Sequence, residues 1–187
     1  MINFNNVTFS YKGSEKEILK NFSLNINKGD RIWLSGESGI GKTTVLRLIM
    51  GLEKATKGKV SVDGNVKISA VFQEDRLIPF VSAGKNIALF SSEEKAKELM
   101  SELSLTQWFN ASVDSLSGGM KRRLSIARAL SKDFDLLILD EAFNGLDNDT
   151  AENVAELINK YCKDKTVIMV THHKKEAEML SAKEFKL

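Results

Sequence analysis

The sequence predicts an α/β fold: a mainly parallel sheet covered by helices, preceded by an antiparallel β portion and interrupted by an inserted helical segment. Three observations predict it. Short, wholly apolar runs, Ile32-Trp33-Leu34, Leu136 to Leu139 and Val167 to Val170, are each followed by a helical pattern, as strands buried on both faces require. Before residue 70 the remaining β-rich segments end in turn residues rather than in helices. From about 78 to 131 the β signal stops and helical periodicity takes over.

In chain order, Ile2 to Phe9 alternates loosely and reads as a strand, and Leu24 to Ile26 as a second, closed by the turn Asn27-Lys28-Gly29-Asp30. Ile32 to Ser35 runs into a glycine-rich loop, after which Lys42 to Gly51 carries Val45, Leu48 and Ile49 at helical spacing. Val60 to Val62 before Asp63-Gly64, and Ile68 to Phe72, read as further strands. Ser92 to Leu103 has a capping serine, two early glutamates and an apolar stripe, the pattern of a capped helix. Gly119 to Leu130 reads as another helix. Leu136 to Leu139 (strand), Asp149 to Tyr161 (helix), Val167 to Val170 (strand), Lys174 to Leu180 (helix) and Lys183 to Leu187 (strand) complete the alternation. The division expected is one domain over 1–187, with a core from approximately 1–77 and 132–187 and a helical subdomain at approximately 78–131.

Composition limits the functional classes. With 42% apolar and 28% charged residues, 187 residues can bury one core. A net charge of +2 is too small to announce a nucleic-acid partner, and none is expected. The single cysteine, Cys162, excludes an internal disulfide, suits a reducing cytosol and is read as a bystander. Met1 to Asn5 lacks the basic and apolar regions of an export signal. No apolar run approaches the roughly 20 residues that span a bilayer. A cytoplasmic location is therefore expected, and any pore belongs to another polypeptide. Trp33 and Trp108 read as packing residues and His173 as surface.

Gly36-Glu37-Ser38-Gly39-Ile40-Gly41-Lys42-Thr43-Thr44 fits the G-x-x-x-x-G-K-[ST] phosphate loop between a strand and a helix, which points to a P-loop NTPase core. Its glycines let backbone N–H groups turn inward around phosphate oxygens, and the helix start adds its positive end. Lys42 can reach terminal phosphates and the Thr43 hydroxyl can ligate Mg²⁺. Asp140 and Glu141 end an apolar strand at the sheet edge where α/β folds bind ligands. Asp140 suits Mg²⁺, and Glu141 suits a base on the attacking water. Ser117-Gly118-Gly119 before a helix is a second candidate anion site. Three cations follow, Lys121, Arg122 and Arg123, read here as a first-turn violation of the dipole rule that hints at function.

With these segments in place the chain resembles the ATP-binding cassette (ABC) ATPases over essentially its whole length. Leu116-Ser117-Gly118-Gly119-Met120 resembles the signature motif, with Met120 where glutamine is more usual, and Ser125 to Leu130 fits family usage. Gln73 resembles the Q-loop glutamine, Tyr11 the aromatic that stacks on adenine, and Thr171-His172 the switch histidine, with His173 where aspartate is common. Asn144-Gly145-Leu146-Asp147 resembles the D-loop, although Ser-Ala or Thr-Ala more often precedes Leu-Asp.

The resemblance implies ATP hydrolysis by a head-to-tail dimer, a homodimer in the simplest case. Each nucleotide would lie between one protomer's phosphate loop and the other's Ser117, Gly118 and Gly119, with Asp147 near the shared site. It also implies that Gln73 touches Mg²⁺ and water and faces a membrane permease, while Glu141 and His172 act on the attacking water. The stretch Gln73-Glu74-Asp75-Arg76-Leu77-Ile78-Pro79-Phe80 and Met120 are similar to importers of the nitrate, sulfonate and taurine group. That likeness implies a peripheral location on the inner face of the membrane and brings in a solute-binding protein as a further partner. The alternative is a soluble, non-transport ABC ATPase of translation, repair or cofactor assembly, a class that typically carries two cassettes or large insertions. The chain ends soon after His172, at Leu187, and no regulatory tail is expected.

Overall fold

The computed structural model describes residues 1–14 and 16–187. Strands β1 (Ile2–Phe9), β2 (Leu19–Ile26) and β4 (Lys57–Val62) form an antiparallel sheet in the order β2-β1-β4. Strands β3 (Arg31–Ser35), β5 (Ile68–Val71), β6 (Leu136–Asp140), β7 (Thr166–Val170) and β8 (Lys183–Lys186) form a five-stranded parallel sheet in the order β5-β6-β7-β3-β8. The helices are α1 (Lys42–Ile49), α2 (Ala83–Ala88), α3 (Glu93–Glu102), α4 (Gly118–Ser131), α5 (Asn148–Tyr161) and α6 (Lys174–Met179).

Strand periodicity divides the core in two. Leu137, Leu139, Val167 and Met169 point to one face of the parallel sheet and join a cluster built from α2, α3, α4 and α5. Their neighbours Leu136, Ile138, Ile168 and Val170 point to the other face, where they meet α1 and the antiparallel sheet. Every residue of β6 and β7 is buried, which is why both read as unbroken apolar runs. Fully burying side chains such as Leu46 or Ile138 contributes about 1.5–3 kcal/mol each.

Several boundaries differ from the sequence reading. β2 starts at Leu19, five residues before Leu24, because Leu19 pairs with Phe9 across the antiparallel ladder although Lys20 and Asn21 break the apolar alternation. α1 stops at Ile49, and Gly51 turns the chain at φ +69°. α2 has six residues, too few to show a helical period. α4 starts at Gly118 with Ser117 as its cap. β6 includes Asp140, so that carboxylate belongs to the strand itself.

Candidate active site

Parallel strands send all their carboxyl ends to one edge, and four of these ends build the site. β3 leads into the Gly36–Thr44 loop, β5 toward Gln73, β6 into Asp140 and Glu141, and β7 into Thr171 and His172. They surround a cleft of about 310 Å³ lined by Tyr11, Ser38, Gly39, Gly41, Lys42, Thr43, Thr44, Gln73, Glu141 and His172, with Ile18 and Val170 as apolar wall.

The cleft floor is the start of α1, where no side chain caps the helix, so its first N–H groups are available to an anion. By contrast Ser82, Ser92, Ser117 and Asp147 cap α2, α3, α4 and α5. Gly41 sits at φ +116°, a conformation that calls for glycine, and a Cβ there would also crowd the Leu19 Cδ2 methyl at 2.9 Å. Lys42, largely buried, donates to the carbonyls of Gly36 and Glu37 at 2.8 Å each, which folds the loop around its ammonium. The Tyr11 hydroxyl is 3.1 Å from that of Thr44, and its ring meets Phe9 edge-on at 4.9 Å.

Glu141 adopts φ +52°, a left-handed conformation costly for a non-glycine residue, while its N–H donates to Val170 O at 2.9 Å. This brings Glu141 Oε1 within 3.3 Å of His172 Nε2, with the glutamate 18% and the histidine 50% exposed. The other oxygen, Oε2, accepts from the Asn144 amide. The histidine's neighbours are pinned: Trp33 Nε1 donates to Thr171 O at 3.1 Å, His173 N donates to Thr171 Oγ1 at 3.0 Å, and that hydroxyl donates to Glu176.

Burial pushes the Asp140 carboxyl above the ordinary carboxylate value, the adjacent Glu141 charge adds to the rise, and Thr43, Lys42 and Arg122 oppose it. Such a site favours a cation. Among the described residues no group of three or more His, Cys, Asp or Glu forms a metal centre. Thr43, Gln73 and Asp140, which share a smaller adjoining cavity, would therefore hold a hard cation only together with phosphate oxygens and water.

Ser117, Gly118 and Gly119 line none of this cleft. Ser117 and Gly118 are exposed, and Ser117 Oγ accepts from Met120 N at 3.3 Å. Gly119 approaches the 144–147 turn, since a Cβ there would lie 3.3 Å from Gly145 O. Asp147, also outside the cleft, caps α5 and accepts from Thr150 N at 2.9 Å and Thr150 Oγ1 at 2.8 Å, which holds its carboxyl below the usual range. Gly36, Glu37 and Ile40 belong to the loop but not to the cleft lining.

The three cations after Ser117 require a correction. Because α4 starts at Gly118, Arg122 and Arg123 fall in its second turn, where the dipole penalty fades. Both are used internally: Arg122 donates to Phe72 O and Gln73 O, and Arg123 to Leu103 O behind α3. Sequence reasoning assigned no site role to Ile18, Asn144 or Arg122. Asn144 was visible only as a departure from the D-loop pattern, Arg122 only as one of three cations near a helix start, and Ile18 carried no local signal. Cys162 is buried and its thiol is pushed up to about 12 by desolvation, in keeping with an inert side chain.

A glycine-rich loop and uncapped helix at the carboxyl edge of a parallel sheet, with a carboxylate pair on the next strand, define a P-loop nucleotide-binding domain. The ABC transporter family model matches residues 19–144. The chain is 33% identical over 192 residues to a taurine import ATP-binding protein of Pseudomonas aeruginosa, covering 94% of this chain and 73% of that one. It is 34% identical to a thiamine import ATP-binding protein of Haemophilus influenzae, covering 94% and 89%. The fold superposes with a TM-score of 0.86, at 32% identity and with coverage of 96% and 91%, on a cassette of Methanocaldococcus jannaschii solved as a post-hydrolysis dimer with ADP and phosphate. The chain belongs to the ABC transporter ATP-binding family, and its activity is that of an ABC ATPase.

Proposed function

We propose that this protein is the ATP-hydrolysing subunit of an ABC importer, working as a head-to-tail dimer on the inner face of a membrane beneath a separate permease. The observation that carries the catalytic part is the Glu141–His172 pair, 3.3 Å apart at the rim of a cleft whose floor is the uncapped start of α1.

In this reading the N–H groups of Gly39 to Thr44 hold the phosphates, and Lys42 exchanges its two loop carbonyls for phosphate oxygens. Tyr11 stacks on adenine beside Ile18. Thr43, Asp140 and Gln73 would hold Mg²⁺, which would supply charge neutralisation on the phosphates. The Glu141 carboxylate takes the proton of a water attacking the γ-phosphorus, His172 steadies that water and its product, and the bond to ADP breaks to leave ADP and phosphate. The chain does little covalent chemistry. Its contribution is positioning and electrostatics.

Dimerisation is supported by the placement of Ser117 and Gly118, exposed and outside their own cleft. A second copy's nucleotide gives that loop an anion, and a ligand gripped by both protomers stabilises the closed dimer by mass action. Asp147 would then sit at the shared interface. The permease is supported by apolar side chains around the Gln73 loop: Phe80 is 98% exposed at φ +66°, and Leu89 and Phe90 are exposed nearby. Residues 78–131 would move as a helical unit against 1–77 and 132–187 as the dimer closes. Import is supported by the names of the relatives, and a solute-binding protein would complete the assembly.

Glu141→Gln keeps the shape of the site and removes the base. Hydrolysis is expected to fall about 10²–10⁴-fold while ATP binding persists. Size-exclusion chromatography of the variant with ATP should show a dimer, and a persistent monomer would sink the sandwich. Purification from membranes should bring down a multi-span permease.

A further inference from the structure

Resting on the reading of Gln73 as a residue of the ATP site, we propose that Arg122 is a positioning residue that ties the Gln73 loop to α4, so that the helix start presented to a partner's nucleotide and the glutamine presented to this protomer's own nucleotide move together.

The loop after β5 has little regular structure of its own, and Arg76 within it sits at φ +46°. What fixes it comes from a helix about fifty residues away in sequence. Arg122 donates through Nη1 to Phe72 O at 2.7 Å and through Nη2 to Gln73 O at 2.5 Å, and its Nε lies 3.3 Å from Asp75 Oδ1. Six positions on, Arg128 donates to Arg76 O at 2.8 Å and Asp75 O at 3.0 Å. Two guanidinium groups carried by α4 thus hold four carbonyls of a single loop.

Arg122 is only 7% exposed; both Nη atoms are hydrogen-bonded, and the charge is offset by the Asp75 carboxylate although Nε itself makes no hydrogen bond. The planar fork serves two successive carbonyls together and sets Nε 3.3 Å from the Asp75 carboxylate as an ion pair without hydrogen-bond geometry, an arrangement a lysine ammonium cannot reproduce in the same plane. The same helix begins at Ser117, whose side chain caps it, and Ser69 Oγ donates to Ala129 O at 2.7 Å near its other end. The α4 helix is therefore a rod with the Ser117-Gly118-Gly119 loop at its tip and the Gln73 loop clamped to its flank. A displacement of the tip on dimer closure carries Gln73 relative to Thr43 and Asp140. Arg122 thereby acts on the reaction through Gln73 and touches no substrate.

The test is a double-mutant cycle on the full chain: Arg122→Gln, Gln73→Ala and the pair, with Arg122→Lys as the conservative variant. Hydrolysis is followed against ATP concentration, nucleotide binding to isolated protomers by equilibrium titration, and folding by Tm. Arg122→Gln should lower kcat about tenfold, with nucleotide affinity changed by less than about twofold; Arg122→Lys should restore part of kcat. On the Gln73→Ala background the same substitution should cost less than about twofold in kcat. Should Arg122→Gln fail to fold, Asp75→Asn loosens the clamp from the loop side. It should lower kcat about threefold, again only when Gln73 is present. Equal losses with and without Gln73 would overturn the proposal alone. A kcat unchanged by Gln73→Ala would overturn the reading of Gln73 and the proposal with it.

Discussion

The starts of α1 and α4 are both glycine-rich, both follow a loop, and both would face an anion in the proposed dimer, yet they differ in what satisfies them. At α1 no side chain caps the helix, Gly41 is held at φ +116°, and Lys42 is folded back onto the carbonyls of Gly36 and Glu37. At α4 the Ser117 side chain already caps the helix, and the loop stands exposed, away from its own cleft. The first start is built to enclose an anion within one protomer. The second is stable without one and has donors to spare for a ligand brought from outside. The difference teaches that a glycine-rich helix start becomes a complete site only when a cation and a concave wall accompany it.

Ser117→Arg breaks the comparison most severely. A long cation on the exposed cap would block approach of a second protomer, and hydrolysis should fall about 10²–10³-fold, the size of effect seen when one preorganised anion donor is removed. Nucleotide binding to the isolated protomer should hardly change, measured by fluorescence titration. Loss of that binding would mean the loop serves its own cleft. Lys42→Met is the opposite experiment. It removes charge-assisted bonds to phosphate within one protomer, so monomer affinity itself should weaken about 10–100-fold. If Lys42→Met spared monomer binding and lost only dimerisation, the two starts would have exchanged roles.

The sequence made much of this readable for physical reasons, and hid the rest for equally physical ones. β6 and β7 are buried on both faces, so an apolar run was sufficient to find them. Ser92 caps α3 through a local bond to Lys95 N at 3.2 Å, and local bonds leave local patterns. The phosphate loop was legible because its function lies in its backbone, which demands glycines at fixed spacing. β2 was half missed because Leu19 to Phe22 is held by pairing with β1, a contact no window on the sequence contains. Arg122 was misread for the same reason: its carbonyl partners lie fifty residues away, so in the sequence it appears only as a cation too close to a helix start. Asn144 looked like a departure from pattern until its amide was found on Glu141 Oε2.

Beneath the α1 loop, Asp140 offers the smallest of the tests. Its folded-state carboxyl titrates above the ordinary value, chiefly because burial disfavours the charge and Glu141 adds repulsion. The ionised form is therefore the one that the fold destabilises. Below the ordinary carboxylate value both states are protonated and there is no deficit. As pH rises from there to the raised folded value the deficit grows, and above it the deficit is complete. Asp140→Asn removes it, so the nucleotide-free variant should melt higher than the parent at neutral pH, by about 2–4 °C for each kcal/mol relieved. Lowering the pH beneath the carboxylate range should erase that gain. With ATP and Mg²⁺ the order should reverse, because a cation beside Asp140 turns the buried charge into a ligand and only the parent has it to offer. A parent and variant that melt together at every pH, with and without nucleotide, would mean that Asp140 is neither strained by its charge nor used to hold the metal. The carboxylate that completes the α1 site would then have to be sought elsewhere.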